Sequence, residues 1–206
     1  VSHNDVRSTV DALIVNAVVT AAGDLTVAAY EAAVIRALDD STVESDGGSV
    51  FVGGNSIAVN GVIATNTVLS AANALIQDSD LTTFAGGEVG VHAENTSIVD
   101  AVVRNSTRAY GPAVGVTLAF NSIGIDPQNI VFNTVDALFG TGIGDTQPAA
   151  TLAVIRNTDV RAAGGVNVSS VSQAAISAAV TSSATTLVAE INGGSSTTSV
   201  GVGAVI

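Results

Sequence analysis

AGGEVGVHA, residues 85–93, is one of three imperfect copies of a motif in this sequence. These copies decide the fold class that the sequence predicts. The other two copies are AAGDLTVAA at residues 21–29 and AAGGVNVSS at residues 162–170. Each copy is followed by a matching apolar patch, centred on residues 34–35, 98–99 and 175–176. Self-similarity at a long period is typical of solenoids, in which each unit buries its apolar face by stacking on its neighbours.

Further matches lie between these copies. SIAVN at 56–60 is similar to TLAFN at 117–121, TVDALI at 9–14 to TVDALF at 134–139, and SVGVGAVI at 199–206 to SVFVGGNSI at 49–57. The matches predict one domain, 1–206, with repeat units at about 1–57, 58–118 and 119–206. On this alignment the sequence stops where AVN is expected and begins just after it. We therefore expect either a segment of a longer array or a subunit that continues into a copy of itself.

The spacing of the repeats predicts the number of coils. Gly23 and Gly87 are 64 positions apart, and Gly87 and Gly164 are 77 apart. The additional length falls near the Gly- and Pro-rich stretch 140–150, which is predicted to be an insertion loop. A unit of roughly 60 residues suits about three coils of roughly 20 residues each, so we expect roughly 9–10 coils in all.

Composition favours strands. Hydrophobic residues make up 47% of the chain and aromatic residues only 3%, which suits a thin core of small and β-branched side chains. Short alternating runs bounded by Gly, Asn, Asp or Ser recur, and this is the pattern of strands and turns. The Ala-rich stretches 26–40 and 170–180 are compatible with helices by propensity, but they follow the glycine motif at the same repeat position as 89–103, which reads as strand. The predicted fold is all-β, a single parallel β-helix (β-solenoid).

Charge and cysteine content exclude several classes of protein. The formal net charge is −12, with six Arg and no Lys, which disfavours nucleic acids and anionic membranes as partners. No run of apolar residues is long enough to predict membrane insertion as a helix. Cysteine is absent, so disulfides and thiolate metal sites are excluded.

Two stretches carry a resemblance to a known family. DALIVNAVVTAAGDLTVAA at 11–29 and ALIQDSDLTTFAGGEVGVHA at 74–93 resemble the Ala/Val/Thr/Gly repeats of giant secreted bacterial surface proteins. These are the large adhesins and the filamentous-haemagglutinin-like proteins with β-helix repeats. The resemblance implies an elongated module that is secreted or held at the cell surface and that reaches, adheres or builds a matrix.

Calcium is the metal that the sequence favours. Oxygen-rich turns flanked by Gly or Ser are of the kind that hard cations use, and Asp78 and Asp80 are the predicted ligands. Neither the Gly-Gly-x-Gly-x-Asp nonapeptide nor an EF-hand loop occurs, and Asp is also a common turn residue. Structural calcium is thus the one metal considered, and no other cofactor is expected.

The candidates for catalysis are few. His92 occupies the repeat position of Ala28 and Ser169, and alternation places Glu88 and Glu94 on its face, which is predicted to be a solvated strand face. Arg104 with Arg108, and Arg156 with Arg161, are the basic clusters, and we expect them to accompany surface carboxylates such as Asp100 and Asp159. The chain is predicted not to be an enzyme.

The function predicted is structural assembly. A solenoid without polar caps has open ends that invite stacking, and we expect an end-to-end homopolymer or a segment of a longer surface fibre. The residues predicted at the assembly interface are Val1, Val6, Val200, Val202, Val205 and Ile206. The alternatives are an adhesin stalk or passenger that binds glycan or another cell through its side face or the loop 140–150, and, third, a polysaccharide-active β-helix enzyme.

Overall fold

The computed structural model describes residues 1–46, 48–49, 52–53, 56–124, 150–186 and 199–205. Every regular element in this part of the chain is a strand. The strands are β1 (Ser2–Val15), β2 (Val18–Ala21), β3 (Leu25–Glu31), β4 (Val34–Ser45), β5 (Gly48–Ser49), β6 (Val52–Gly53), β7 (Ala58–Gln77), β8 (Asp80–Thr83), β9 (Val89–Ala109), β10 (Ala113–Ile123), β11 (Thr151–Arg156), β12 (Asp159–Arg161), β13 (Val166–Thr186) and β14 (Ser199–Val205). The described residues include no helix that could cross a membrane.

The strands form three parallel sheets and one short antiparallel pair, β5 with β6. In sheet A, β7 pairs with β1 along one edge and with β10 and β11 along the other, and β14 pairs with β10. Sheet B has the order β2-β8-β12. In sheet C, β9 lies between β13 on one side and β3 and β4 on the other. The chain therefore passes through sheets A, B and C in turn, and each passage adds a strand to each sheet.

We call each passage a coil: the first coil is β1–β4, the middle coil is β7–β9, and the third coil is β10–β13. In this register Leu25, Val89 and Val166 are neighbours across sheet C. The three glycine-motif copies therefore stack in the alignment predicted from sequence. The apolar patches also stack as predicted. Both Ala-rich stretches are strands, in β3–β4 and β13, so the strand prediction is confirmed.

The predicted length of a coil is wrong. Ser2 pairs with Ala64 and Ala72 pairs with Thr151, so one coil occupies an entire repeat of about 60 to 80 residues rather than a third of one. The physical reason is the length of the strands: β7, β9 and β13 have 20, 21 and 21 residues. The expected stack of roughly 9–10 short coils is therefore replaced by a few wide ones.

Two alignments made from the sequence are also corrected by the register. Asn121 pairs with Asn66 and not with Asn60. Ser199 pairs with Ala113, which in turn pairs with Ala58, so β14 is equivalent to the start of β7 and not to residues near Ser49. β14 is therefore equivalent to the stretch that begins with AVN at 58–60, which the sequence alignment had placed just beyond residue 206.

The core lies between sheets A and C. Every second side chain of β9 is buried, and so is every second side chain of β7, where residues 64–70 are buried on both faces. Ile76, Val89 and Val99 are fully enclosed. Leu81 of sheet B closes one side of this interior. Small and β-branched residues dominate the core, as the low aromatic content of the sequence predicts.

Two kinds of corner connect the sheets. Asn16, Asp78 and Asn157 occupy equivalent positions between sheets A and B, and all three have positive φ, between 49° and 52°. Asn and Asp are the non-glycine residues that adopt this left-handed conformation most readily. At the next corner Gly87 lies directly against Gly23, where a Cβ on Gly87 would be 2.3 Å from the Gly23 carbonyl oxygen.

The inserted length is located by the register. Ile123 pairs with Val68, and Thr151 pairs with Ala72, so the additional residues lie between Ile123 and Thr151. The predicted insertion loop, 140–150, falls in this interval, but apart from Ala150 it lies outside the described residues.

Candidate assembly site at the ends of the stack

At both ends of the stack most of the described strands are paired on one side only, whereas β10 of the third coil is also covered by β14 over Ala113–Ala119. Among the described residues, β1 pairs only with β7, β2 only with β8, and β3 and β4 only with β9. At the opposite end, β12 pairs only with β8 and β13 only with β9. Half of the backbone groups of an edge strand have no ladder partner, which makes such an edge a template for further strands. The candidate functional site is this pair of edges.

The third coil leaves the apolar interior partly uncovered. Val166, Val168 and Ile176 are 52%, 47% and 50% exposed. Their partners in the middle coil, Val89, Val91 and Val99, are 0%, 1% and 0% exposed. The same face of the sheet is thus sealed in one coil and open to solvent in the next, which is unusual for a contiguous apolar surface.

An asparagine ladder runs through the interior of sheet A. Asn4 donates from Nδ2 to Asn66 Oδ1, and Asn66 donates from Nδ2 to Asn121 Oδ1, both at 2.8 Å. Asn66 and Asn121 are 1% and 8% exposed. Asn4 was not predicted to belong to this ladder. The signal that could have revealed it is the equivalence of Asn4, Asn66 and Asn121 in the register of sheet A.

The ladder is incomplete at its third-coil end. The Nδ2 atom of Asn121 is buried and has no hydrogen-bond partner among the described residues. A buried donor without an acceptor costs roughly 1–3 kcal/mol. Both existing bonds run toward the third coil, so an acceptor on a further strand in that direction would continue the ladder.

The first coil differs because two carboxylates face its interior. Glu31 accepts a hydrogen bond from Ser8 Oγ at 2.6 Å, and Asp39 accepts one from Ser2 Oγ at 2.9 Å. Glu31 pairs with the buried Asn95, and Asp39 with the buried Val103. The third coil has Ser172 and Val180 at these positions, and no charged side chain faces inward among its described residues. The two ends are therefore chemically different.

Outward-facing charges alternate between the first and middle coils. The pairs opposed in sheet C are Arg36 with Asp100, Asp40 with Arg104, and Glu44 with Arg108. Opposite charges directly across a strand pair contribute roughly 0.2–1 kcal/mol each. The third coil has the neutral Ser177, Thr181 and Thr185 in line with them, so its edge carries no charge at these three positions.

The six residues predicted at the interface lie at both ends. Val1 is 73% exposed, and Val6 packs partly buried against Val68. Val200, Val202 and Val205 belong to β14 and pair with Val114, Val116 and Ala119. Ile206 lies outside the described residues. The prediction that these six residues form an interface is not tested by this arrangement.

Asp78 and Asp80 lie at the corner between sheets A and B. Asp78 adopts the left-handed conformation and accepts a hydrogen bond from Gln77 Nε2 at 2.6 Å. Asp80 is exposed at the start of β8 and pairs with Val18 and Asp159. The part of the chain described here contains no group of three or more His, Asp or Glu side chains suited to a metal ion. Calcium binding by Asp78 and Asp80 stays a prediction.

His92 lies on the outer face of sheet C. Its Nδ1 is 2.7 Å from Ser169 Oγ, its Nε2 is 3.5 Å from Glu94 Oε2, and its ring centroid is 5.3 Å from that of Tyr30. A shallow groove of about 220 Å³ runs beside it, lined by Asp24, Thr26, Glu88, Gly90, Val91, His92, Asn167 and Ser169. The position of His92 beside Glu94 was predicted from the sequence, but its contact with Ser169 was not. The repeat alignment contained the signal, because it placed His92 and Ser169 at the same repeat position.

Arg156 and Arg161, predicted to form one basic cluster, have different partners. Arg161 forms an ion pair with Asp159, as expected. Arg156 instead donates to Gln77 Oε1 and borders a second groove, of about 350 Å³, which includes Leu13, Leu75 and Leu152.

The comparisons with known proteins identify no relative: no family model, curated protein or solved structure matches this chain.

Proposed function

We propose that this chain is a structural, secreted or cell-surface β-solenoid, a single parallel β-helix whose coils stack end to end into a filament or form part of a longer surface fibre. The open ends described above support the proposal. So does the sequence resemblance to the repeats of large adhesins and filamentous-haemagglutinin-like proteins. Neither an enzymatic activity nor a nucleic-acid partner is part of the proposal.

One observation carries it: the apolar interior is half exposed at the third coil, at Val166, Val168 and Ile176. Each fully buried Val or Ile stabilises a protein by about 1.5–3 kcal/mol relative to its exposed state. Stacking another coil on this end would bury all three side chains. It would also supply backbone partners for β13, and both gains favour association.

The experiment compares the purified chain with one variant at the open end and one matched control. In Val168→Lys the charge faces into the interior of the stack, whereas in the control Asn167→Lys it is added one residue away on the outward face. We expect filaments with a reflection near 4.8 Å along their axis from the unmodified chain and from Asn167→Lys. Val168→Lys should give folded monomers, as seen by circular dichroism and sedimentation velocity.

A chain that stays monomeric across a wide concentration series would overturn the proposal. Filaments from Val168→Lys equal to those of the unmodified chain would do the same, because a lysine could not be accommodated in a sealed apolar interior.

A second candidate is a glycan-binding adhesin module. The groove beside His92 favours it, because hydroxyl, amide and carboxylate groups line a shallow surface next to Tyr30, which is 61% exposed. Aromatic faces with neighbouring polar groups suit the apolar and hydroxyl faces of sugars. Specific retention of the Val168→Lys monomer on a glycan array would favour this alternative.

A further inference from the structure

We propose that Ser169, His92 and Glu94 form a catalytic site for ester hydrolysis on the outer face of sheet C, with Ser169 as the nucleophile. This activity goes beyond the structural role proposed above and does not depend on it, because coils that stack on the ends leave the outer face of sheet C open. The substrate class is an uncharged ester with a small acyl group.

The stacking of the three coils brings these groups together. In the register of sheet C, Ala28, His92 and Ser169 lie side by side in one row. Tyr30 and Glu94 are neighbours in the next row on the same face, since side chains two residues apart in a strand point the same way. The first coil therefore contributes Tyr30, the middle coil His92 and Glu94, and the third coil Ser169.

The contact between Ser169 and His92 has the length that a nucleophile and its base require. Ser169 Oγ is 2.7 Å from His92 Nδ1, within the range of about 2.6–3.2 Å for direct proton transfer. On the other side of the ring, Nε2 is 3.5 Å from Glu94 Oε2. A carboxylate beside Nε2 favours the tautomer that carries its proton there, so Nδ1 accepts the hydroxyl hydrogen of Ser169. The order hydroxyl, imidazole, carboxylate is that of a catalytic triad, which is recognised by geometry and roles.

The imidazole ring is held in place and is also reachable from solvent. The ring of Tyr30 packs against it with centroids 5.3 Å apart and planes tilted by 54°. The side chains of His92 and Glu94 are 29% and 37% exposed, and Ser169 is half-buried. A substrate can therefore approach the hydroxyl from the open face of the sheet without any movement of the backbone.

Gly90 provides space for a substrate beside the nucleophile. It lies between Thr26 and Asn167 in the row that precedes His92 and Ser169, and it has no side chain to fill the face. The groove of about 220 Å³ described above lies over this row. The amide of Asn167 and the hydroxyl of Thr26 border it and are hydrogen-bond donors for the carbonyl oxygen, which becomes negative during attack.

The charges around the groove define the substrate class. Asp24 and Glu88 line it, and Glu94 lies beside it. Carboxylates on two sides disfavour an anionic substrate by like-charge repulsion. The small volume of the groove suits a short acyl group rather than a long chain, so the site fits a small uncharged ester.

The reaction follows from the positions of these groups. Ser169 Oγ attacks the carbonyl carbon and forms a C–O bond, while its proton passes to His92 Nδ1. The bond between the carbonyl carbon and the leaving oxygen breaks, and His92 gives that proton to the departing alcohol. Water then attacks the acyl-serine, again with His92 as the base, and releases the carboxylic acid and the free hydroxyl. Glu94 is a positioning residue that stabilises the imidazolium formed in both steps.

The test uses a fluorophosphonate, which labels activated serines, and p-nitrophenyl acetate as the ester. We expect the unmodified chain to be labelled at Ser169, as located by peptide mass spectrometry, and to release nitrophenolate catalytically. Ser169→Ala should abolish both signals, and His92→Gln should lower the rate by roughly 10²-fold or more. The matched control is Ser177→Ala, an exposed serine on the same face of β13, which should leave both signals unchanged.

Two further variants separate a catalytic role from a structural one. Glu94→Gln should lower kcat by roughly tenfold or more and leave KM unchanged, because it weakens only the stabilisation of the imidazolium. Gly90→Val should instead raise KM by roughly tenfold, because it fills the groove and leaves the three catalytic groups in place. An added Cβ at residue 90 meets no atom closer than Thr26 Oγ1 at 3.7 Å, so this variant should fold, as circular dichroism would verify.

The outcomes are distinct from those of the assembly experiment. A folded chain without labelling at Ser169, hydrolysis that survives Ser169→Ala, or an equal loss in Ser177→Ala would overturn the site. Faster turnover of the anionic p-nitrophenyl hemisuccinate than of the acetate would overturn the substrate class. A monomeric chain that hydrolyses the ester would overturn the structural role and leave the site in place.

Discussion

At the scale of single residues, Asn66 is the most informative side chain. It is almost completely buried in a strand, and it accepts an amide hydrogen bond from Asn4 and donates one to Asn121. A buried amide is tolerated only when its donor and acceptor are both satisfied. The ladder therefore fixes the register of three strands, because a shift by one residue would leave these groups unpaired.

Replacing Asn66 by Ala should be costly for stability. Asn4 Nδ2 and Asn121 Oδ1 would both lose their partner, and we expect the free energy of unfolding to fall by about 2–3 kcal/mol. Asn167→Ala, at an exposed position of β13, is the control and should change it by less than about 0.5 kcal/mol. Urea denaturation followed by circular dichroism checks both values, and equal effects would show that the ladder contributes nothing.

Residue identity alone was not enough to predict this role. The recurrence of Asn60, Asn66, Asn121 and Asn133 in the sequence predicts turn positions with amides stacked between coils. The stacking of Asn66 and Asn121 is confirmed, but the place in turns is wrong for Asn60, Asn66 and Asn121, which lie in strands. Asn133 lies outside the described residues. Asn is depleted in strands on average, and only the neighbouring asparagine on the next coil makes its burial acceptable. The true corner residues are Asn16, Asp78 and Asn157.

At the scale of elements, the corner between sheets B and C depends on glycine. Gly87 and Gly164 approach the carbonyl groups of Gly23 and Gly86, and a Cβ would be 2.3 Å and 2.4 Å from their oxygen atoms. Gly164 N also donates to Gly87 O at 2.8 Å. The recurrence of glycine in all three motif copies thus reflects the close approach of backbone to backbone at this corner.

We expect Gly87→Ala to destabilise the chain by more than about 2 kcal/mol, because the new methyl group would displace the first coil from the middle coil. The matched control is Gly61→Ala in β7, where an added Cβ has no atom within 4 Å, and it should be neutral or stabilise by up to about 1 kcal/mol. Thermal unfolding of the two variants provides the comparison. A neutral Gly87→Ala would mean that the corner can open without loss.

The strands were predictable from the sequence, but the length of a coil was not. Period-two alternation reports which side chains face inward and is the same for a coil of 20 or of 60 residues. Strands of 20 residues or more, such as β7 and β9, are also far above the usual five or six. The motif 85–93 was aligned correctly because its glycines mark a corner, whereas SIAVN at 56–60 was misaligned because it has no such marker.

At the scale of the whole molecule, the middle coil is the one whose described strands all have partners along both edges. β7 and β9 are paired along both edges, whereas β13 and the strands of the first coil are paired along one. The all-β class and the parallel sheets were predicted correctly. The difference between the ends was not, because the inward orientation of Glu31 and Asp39 depends on a register that the sequence alone does not supply.

Hydrogen exchange should map this difference. In the monomer we expect the amides of β9 to exchange most slowly and alternate amides of β13 to exchange quickly, because an edge strand leaves every second N–H without a ladder partner. Assembly should protect β13 and β1 and leave β9 unchanged. Exchange measured by mass spectrometry before and after association tests this expectation. Full protection of β13 in the monomer would show that its edge is already covered.

The one-way asparagine ladder has a consequence for growth. Every amide in it donates toward the third coil, and every strand in the three sheets runs in parallel. A filament formed by end-to-end stacking of this chain, as proposed above, would therefore be polar, with two different ends. One end presents the unpaired amide of Asn121 and an uncharged apolar surface, and the other presents the amide of Asn4 and, in the same coil, the inward-facing carboxylates of Glu31 and Asp39. Incoming subunits would meet two different surfaces, so we expect the two ends of the filament to elongate at different rates. The carboxylates of the first coil and the neutral interior of the third coil set this difference.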